Sequence, residues 1–139
     1  MLGAAGVLIG TRFWATPEAL GPDSAKELLI RAKGGDTLRI RVFDTIRELD
    51  WPEGYSGRAI ANDFTAKWHG HEADLVPRVA ELKDQWWAAQ RTGDTRQAVV
   101  FAGEGVDLIT SIRPAGDVVR DIAAEAEGLL RGSGHFRIE

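Results

Sequence analysis

Gly6-Val7-Leu8-Ile9-Gly10-Thr11-Arg12-Phe13 is the stretch on which the reading of this chain turns. Three consecutive apolar residues between glycines read as a short strand buried on both faces, the kind found in parallel sheets. Gly10 ends the run. A glycine at the carboxyl end of a strand lets backbone approach a ligand with no Cβ in the way. Thr11 adds a hydroxyl and a backbone N–H at the same spot. Strand, Gly-Thr turn and helix together have the form of a phosphate cradle. The same spacing also suits a buried strand that only needs a tight exit, and spacing alone leaves both readings open. Arg12 is open in the same way, as an anion clamp or as the partner of a carboxylate under the turn.

The rest of the chain bounds what that stretch can belong to. At 139 residues there is material for one domain with a core. Lys and Arg number 17 against 21 Asp and Glu, a net charge of −4 with the signs interspersed, which points to neither nucleic acid nor an anionic membrane. With no cysteine there is no disulfide, thiolate metal site or cysteine nucleophile. Met1-Leu2-Gly3-Ala4 lacks the basic start of a signal peptide, and no apolar run reaches transmembrane length. A cytoplasmic protein is the expectation.

Taken in order, Phe13-Trp14-Ala15 should pack the turn down, and Thr16-Pro17-Glu18 has the form of a helix start. Gly21-Pro22 interrupts it. Asp23 or Ser24 can cap a second helix, Ser24 to Lys33, which Gly34-Gly35 stops. Leu38, Ile40 and Val42 alternate with Arg39 and Arg41, which predicts a half-exposed strand from Thr37 to Phe43. A loop rich in turn formers, Trp51 to Gly57, leads into a predicted helix from about Arg58 to Trp68 with Ile60, Phe64 and Trp68 inward. A polar helix follows from Glu72 to Gln90, with Leu75, Val79, Leu82 and Trp86 on one face and Pro77 near its start, and Arg91-Thr92-Gly93-Asp94 ends it. Ala98 to Ala102 is apolar and too short to type. After Gly103-Glu104-Gly105 comes a short helical turn, Val106 to Ile109. Pro114 opens the last helix, with Val118, Val119, Ile122, Ala126, Leu129 and Leu130 expected inside, and Gly132-Ser133-Gly134 closes it before a loose tail.

Several groupings suggest chemistry and have plainer readings. His69-Gly70-His71-Glu72 has metal-ligand residue types, but no third ligand cluster accompanies it, and two helices meeting at Gly70 explain it. Asp44, Glu48 and Asp50 lie among Arg39, Arg41 and Arg47, as on a solvated ion-pair face. Trp51, Trp68, Trp86 and Trp87 lack a basic groove, so packing explains them better than base stacking. Trp86 and Trp87 cannot both face one core, which leaves one of them for a contact elsewhere. No Walker loop, Gly-x-Gly-x-x-Gly or Ser-His-Asp signature is present.

A family resemblance draws the chemistry-bearing stretches together. Gly3 to Phe13 resembles the last barrel strand of the nitronate monooxygenases, formerly 2-nitropropane dioxygenases, with Ala5 where an acidic residue is usual. Ala102-Gly103-Glu104-Gly105-Val106-Asp107-Leu108-Ile109 and Arg113-Pro114-Ala115 are similar to the family's Ala-Gly-Gln-Gly segment and final barrel helix, with Glu104 in place of Gln. Asp36-Thr37 and Val42-Phe43-Asp44 resemble a short extended segment of the family, and Gly57-Arg58-Ala59-Ile60-Ala61-Asn62 its Gly-Arg-x-Leu-x-Asn.

The resemblance implies an α/β parentage, a (β/α)8 TIM barrel that binds FMN and oxidises alkyl nitronates with oxygen. A whole barrel takes about 250 residues, so the expectation is a carboxy-terminal fragment, mostly helical with one or two short strands. Residues 1–36 would hold the last strand, the phosphate turn and the helices after it. Residues 37–98 would be a mainly helical insertion, and 99–139 the return segment and final helix. Leu8, Ile9, Gly10 and Thr11 would form the last-strand half of the FMN phosphate site, since such barrels hold phosphate near strands seven and eight. The family's acid–base His has no match in His69, His71 or His135, so no catalytic residue and no metal ligand is assigned. The partners implied are a nitronate and oxygen, with no nucleic acid and no membrane. Weak or absent FMN binding and no monooxygenase activity are expected of the isolated chain. The alternatives are a related FMN barrel of the enoyl-acyl-carrier-protein reductase type, which shares a similar Gly-Thr-Arg-Phe turn, and a non-catalytic helical interaction module.

Overall fold

Leu38 and Ile40, alternating with Arg39, form strand β1 (Thr37–Ile40) in the computed structural model, which describes residues 6–132. β1 pairs antiparallel with β2 (Gly57–Ile60), Thr37 opposite Ile60 and Ile40 opposite Gly57. The apolar run at 98–102 lies along the other edge of β2. Phe101 bridges to Ala59, the Ile60 N–H donates to the Val100 carbonyl at 2.9 Å, and the Ala102 N–H to the Arg58 carbonyl at 3.1 Å.

Side chains alternate across a sheet, and that rule divides the interior in two. Ile40, Ala59 and Val99, with Leu38 and Phe101, face one core. It is completed by helices α3 (Val42–Ile46), α4 (Asp63–Trp68), α5 (Glu72–Leu75) and α6 (Val79–Thr92), through Phe43, Phe64, Leu75 and Trp86. Ile60, Val100 and Ala102 face the other core, where they meet Ala15, Leu29 of α2 (Asp23–Leu29), Val106 and Ile109. The sheet is thus the partition between the two ends of the chain and its middle. A helix-rich chain with a small sheet is the expected outcome, but several elements differ from expectation.

The predicted helix from Arg58 begins as β2. Hydrogen bonds on both edges hold Gly57–Ile60 extended, and the helix starts only at Asp63. Asn62 sets that start: its Oδ1 accepts from the Thr65 N–H at 3.0 Å, and its own N–H donates to Thr65 Oγ1 at 2.8 Å, a reciprocal cap. The predicted strand to Phe43 stops at Ile40, because Val42, Phe43 and Ile46 are buried together on one side of α3. The polar helix is split by a 3-10 turn at Val76–Arg78, where Pro77 has no N–H to give. Gly93 ends α6 in the left-handed region, φ +73°.

At the amino end, helix α1 (Thr11–Trp14) follows Gly10 directly, and no helix forms at Thr16-Pro17-Glu18. Instead the Trp14 ring lies over Gly21, and the buried Lys26 donates to the Pro17 carbonyl at 3.3 Å, holding the turns of 15–22 down. The expected opening strand is not formed. Residues 6–10 are irregular, Val7 and Leu8 are exposed, and no strand among the described residues runs beside them to pair their backbone. Helix α7 (Ala115–Gly132) begins after Pro114 as predicted, but only Val118 of its apolar stripe is buried; Val119 and Leu129 are 53% and 69% exposed. Gly3-Ala4-Ala5, the Ser133-Gly134 stop, His135 and the tail lie outside the described residues. No helix among the described residues is long and apolar enough to cross a membrane.

Candidate functional site

The Gly10-Thr11 turn and the Gly103–Gly105 segment, 92 residues apart in sequence, meet: the Gly103 N–H donates to Thr11 Oγ1 at 3.1 Å. Between them runs a groove of about 480 Å³. Leu8, Ile9, Gly10 and Thr11 line one wall, Gly103 and Gly105 the other, and Ile122 and Glu125 of α7 face in from above. A Cβ at Gly10 or at Gly105 would meet nothing within 4 Å, so both backbones border open space. The Gly10 carbonyl takes the first intrahelical bonds of α1, from the N–H groups of Phe13 and Trp14. The N–H groups of Thr11 and Arg12 precede those bonds and have no partner within the helix. Thr11 Oγ1 accepts from Gly103 and keeps its own proton to donate.

This arrangement fits the phosphate end of a nucleotide-like group on the donor side: small walls, a hydroxyl donor and backbone N–H groups at one end. The charges in the groove are less favourable. Glu125 lines it and would repel a dianion. Arg12, also in the wall, is turned aside, with Nη1 donating to the Ser111 carbonyl at 2.9 Å. Burial and then the neighbouring Arg113 lower its pKa from the ordinary arginine value. Through that bond Arg12 ties the turn to the segment before α7. Arg113 itself pairs with Asp121 of α7.

The other stretches that drew attention serve the scaffold. Glu104 is drawn away from the groove by Arg58, Nη2 to Oε1 3.0 Å. Arg58 also donates to the Thr37 carbonyl and hydroxyl, so one guanidinium joins β1, β2 and the glycine segment. Gly57 is small because Phe101 lies where its Cβ would go, 2.9 Å from Cε1. Asn62 Nδ2 donates to the carbonyls of Thr95 and Ala98, at 3.1 and 2.9 Å. The Gly-Arg-x-x-x-Asn run is a set of clasps. Their residue types were legible in the sequence, but their partners were not.

His69 lies by Glu72 (3.5 Å) and His71 by Asp74 (3.8 Å), with Gly70 left-handed between them at φ +80°. Among the described residues no three His, Asp or Glu side chains converge as a metal site would need. The predicted ion-pair face is overturned at Asp44. It is 7% exposed beneath Trp51, whereas Glu48 reaches Lys83 on α6. Burial pushes the Asp44 carboxyl up, against the pull of Arg47, Arg41 and the Trp51 indole. Trp68 and Trp86 are core residues, while Trp51 is 49% exposed. Trp87 stands edge-on to Trp86, centroids 4.9 Å apart, and is 36% exposed.

With this geometry in place, three comparisons bear on identity. The sequence model of a family described as nitronate monooxygenase matches residues 1–125. A nitronate monooxygenase of Neurospora crassa is 36% identical over 133 residues, 94% of this chain and 34% of the relative. The nitronate monooxygenase npaC of Metarhizium robertsii is 32% identical over 138 residues, 93% of this chain and 37% of the relative. The chain thus spans about a third of the length of these relatives. Among solved structures, FabK from Thermotoga maritima superposes with a TM-score of 0.71 at 22% identity, over 92% of this chain and 39% of that one. A mutant FabK from the same organism gives 0.66 at 23% identity, over 97% and 37%. At that identity the likeness is one of fold, and FabK is a TIM-barrel enzyme.

Proposed function

Since this chain belongs to the nitronate monooxygenase family, we propose that it is the carboxy-terminal part of an FMN-dependent (β/α)8 barrel that oxidises alkyl nitronates with oxygen. The observation that carries the reading is the Thr11 hydroxyl against the Gly103 N–H, which brings two separate glycine segments to one groove.

In that reading Leu8, Ile9, Gly10 and Thr11 make the last-strand half of the phosphate site. Gly10 admits the phosphate close to the backbone, Thr11 donates its hydroxyl, and the backbone N–H groups at the turn complete the donor set. FMN would supply the redox chemistry, and the protein would hold and tune it. No side chain here is assigned a proton-transfer role. The exposed Val7, Leu8, Val119 and Leu129 are the surface that the remaining barrel would cover. Residues 1–36 and 99–139 then belong to the barrel, and residues 37–98, with β1, β2 and α3 to α6, form an insertion. The nitronate and oxygen are substrates of the completed enzyme, in the cytoplasm.

A flavin-dependent enoyl-acyl-carrier-protein reductase barrel is the second reading, favoured by the FabK likeness, which extends to fold alone. One experiment separates them. The chain is mixed with the preceding two thirds of the Neurospora crassa relative, desalted, and assayed for retained FMN and for oxygen uptake with a propyl nitronate. The chain alone should retain little flavin, and the complemented assembly should retain it and consume oxygen. Thr11→Ala should weaken FMN about tenfold, one charge-assisted hydrogen bond at ~1.4 kcal/mol. An assembly that holds no flavin, or that oxidises a nicotinamide with an enoyl thioester and ignores nitronate, overturns the proposal.

A further inference from the structure

Beside the carboxyl end of β1 lies a cavity of about 530 Å³ that shares no lining residue with the groove at Gly10. Arg39 and Arg41 line it from the β1 side, Ser56 from the loop before β2, Thr45 from α3, and His69 and Glu72 from the junction of α4 and α5. The two arginines are two positions apart, about 7 Å along the chain. The acids that could have paired with them are engaged elsewhere: Glu48 reaches Lys83, and Asp44 is buried. Arg41 attracts Asp44 only from beyond ion-pair distance, and among the described residues its guanidinium makes no hydrogen bond. Arg39 Nη1 reaches the Ser56 carbonyl and Oγ, both at 3.4 Å, longer than a good hydrogen bond. By contrast Arg58, Arg78 and Arg96 each hold a carboxylate, at 3.0, 2.9 and 2.9 Å.

Two guanidinium groups with no ion-pair partner thus line one cavity. Glu72 is the one carboxylate among the described lining residues, and it lies 3.5 Å from His69 Nδ1. The Thr45 hydroxyl donates to the Arg41 carbonyl at 3.1 Å, whereas Ser56 Oγ accepts from Arg39 and keeps its own proton to donate. A cation would face both arginines. A carboxylate brings two oxygens and a single charge, which one arginine fork satisfies. A phosphate group brings more oxygens and a second charge, enough for both forks and the Ser56 hydroxyl. We propose that this cavity binds a phosphate group, as the free ion or as the end of a phosphate monoester, held by Arg39, Arg41 and Ser56.

The probe is inorganic phosphate, titrated into the 139-residue chain and followed by the NMR signals of the Arg39 and Arg41 Nε–H groups. The titration is run at low ionic strength, because exposed charges are screened by salt. Acetate at matched ionic strength is the control of single charge. Phosphate should saturate in the millimolar range, move both arginine signals and bind about tenfold or more tightly than acetate. Arg39→Gln with Arg41→Gln should weaken it by about tenfold or more, whereas Arg91→Gln, at an exposed position on α6, should change it by less than about twofold. Ser56→Ala should weaken phosphate roughly threefold and serves if the double variant does not fold. Methyl phosphate separates the two sources: an affinity equal to or above that of inorganic phosphate names the monoester, and a lower one the free ion. Arginine signals that do not move with phosphate overturn the proposal. So does acetate binding as tightly as phosphate, or phosphate binding that survives the double substitution. A loss in Arg91→Gln as large as in the double variant also overturns it, since net charge alone would then explain the effect. The signals of Thr11 and Gly103 report on the groove at Gly10, so the two sites stand or fall separately.

Discussion

Asp44, Glu125 and Gly93 show what single residues do here. Asp44 has a carboxyl pKa raised by burial, so the folded state holds its proton to higher pH than the unfolded chain does. Its effect on stability is complete below the ordinary carboxylate value and falls away as pH rises from there through the raised folded value. Asp44→Asn should therefore remove a fall in stability as pH rises above the ordinary carboxylate value, and urea melts at several pH values from 3 to 7 would show it. Asp94 acts in the opposite direction: its hydrogen bonds from Arg96 lower its pKa, so its contribution is present at neutral pH and is lost in acid. That pair is exposed and screened, and Asp44 should dominate. Glu125 lines the groove that would hold a dianion. Glu125→Gln should tighten FMN in the complemented assembly by roughly three- to tenfold, read by fluorescence quenching, since the lost repulsion is a partly screened Coulomb term. Gly93 has both a left-handed backbone and no room: a Cβ would lie 2.5 Å from Ser24 Oγ and 2.7 Å from Pro22 Cβ. Gly93→Ala should cost about 2 kcal/mol or more, measured by chemical denaturation.

Among the elements, α7 is the most informative. Its first N–H, on Ala115, donates to both carboxylate oxygens of Glu18, at 2.9 and 3.1 Å. Glu18 caps a helix 97 residues away instead of starting one of its own. An acid at a helix N-terminus is stabilising through the unpaired N–H groups and the dipole. Glu18→Ala should destabilise the chain by about 1 kcal/mol, with hydrogen exchange rising first in the amino-terminal turn of α7. β2 gives the complementary lesson. Arg58-Ala59-Ile60 has no strong preference for a strand, and Ile60 fits the four-residue spacing of Phe64 and Trp68. Pairing on two edges overrides that spacing.

At the scale of the whole molecule, the two cores on either side of the sheet leave Val7, Leu8, Val119 and Leu129 exposed. If the remaining barrel packs there, Val119→Glu with Leu129→Glu should leave the denaturation midpoint of the isolated chain within about 0.5 kcal/mol. The same pair should abolish flavin retention on complementation, which a pull-down with the preceding segment would trace to lost association. Unchanged association would place the barrel contact elsewhere.

The sequence by itself determined whatever rests on neighbouring residues and on residue type. Examples are the Gly10-Thr11 turn, the Pro114 start of α7, the Gly93 stop, the alternation in β1 and the ordered motifs that carry the family. Each follows from local backbone preference or from a pattern within a few positions. The tertiary structure alone decided where the long-range partners lay. It turned Arg12 to Ser111, Glu18 to Ala115, Glu104 to Arg58 and Asn62 to Thr95 and Ala98. It made a strand of Gly57–Ile60, left Val7 to Ile9 unpaired and buried Asp44. The reason is common to all of these. A side chain's donors and acceptors are written in its residue type, but the groups that satisfy them arrive through folding from tens of residues away. A strand likewise exists only where another backbone lies beside it.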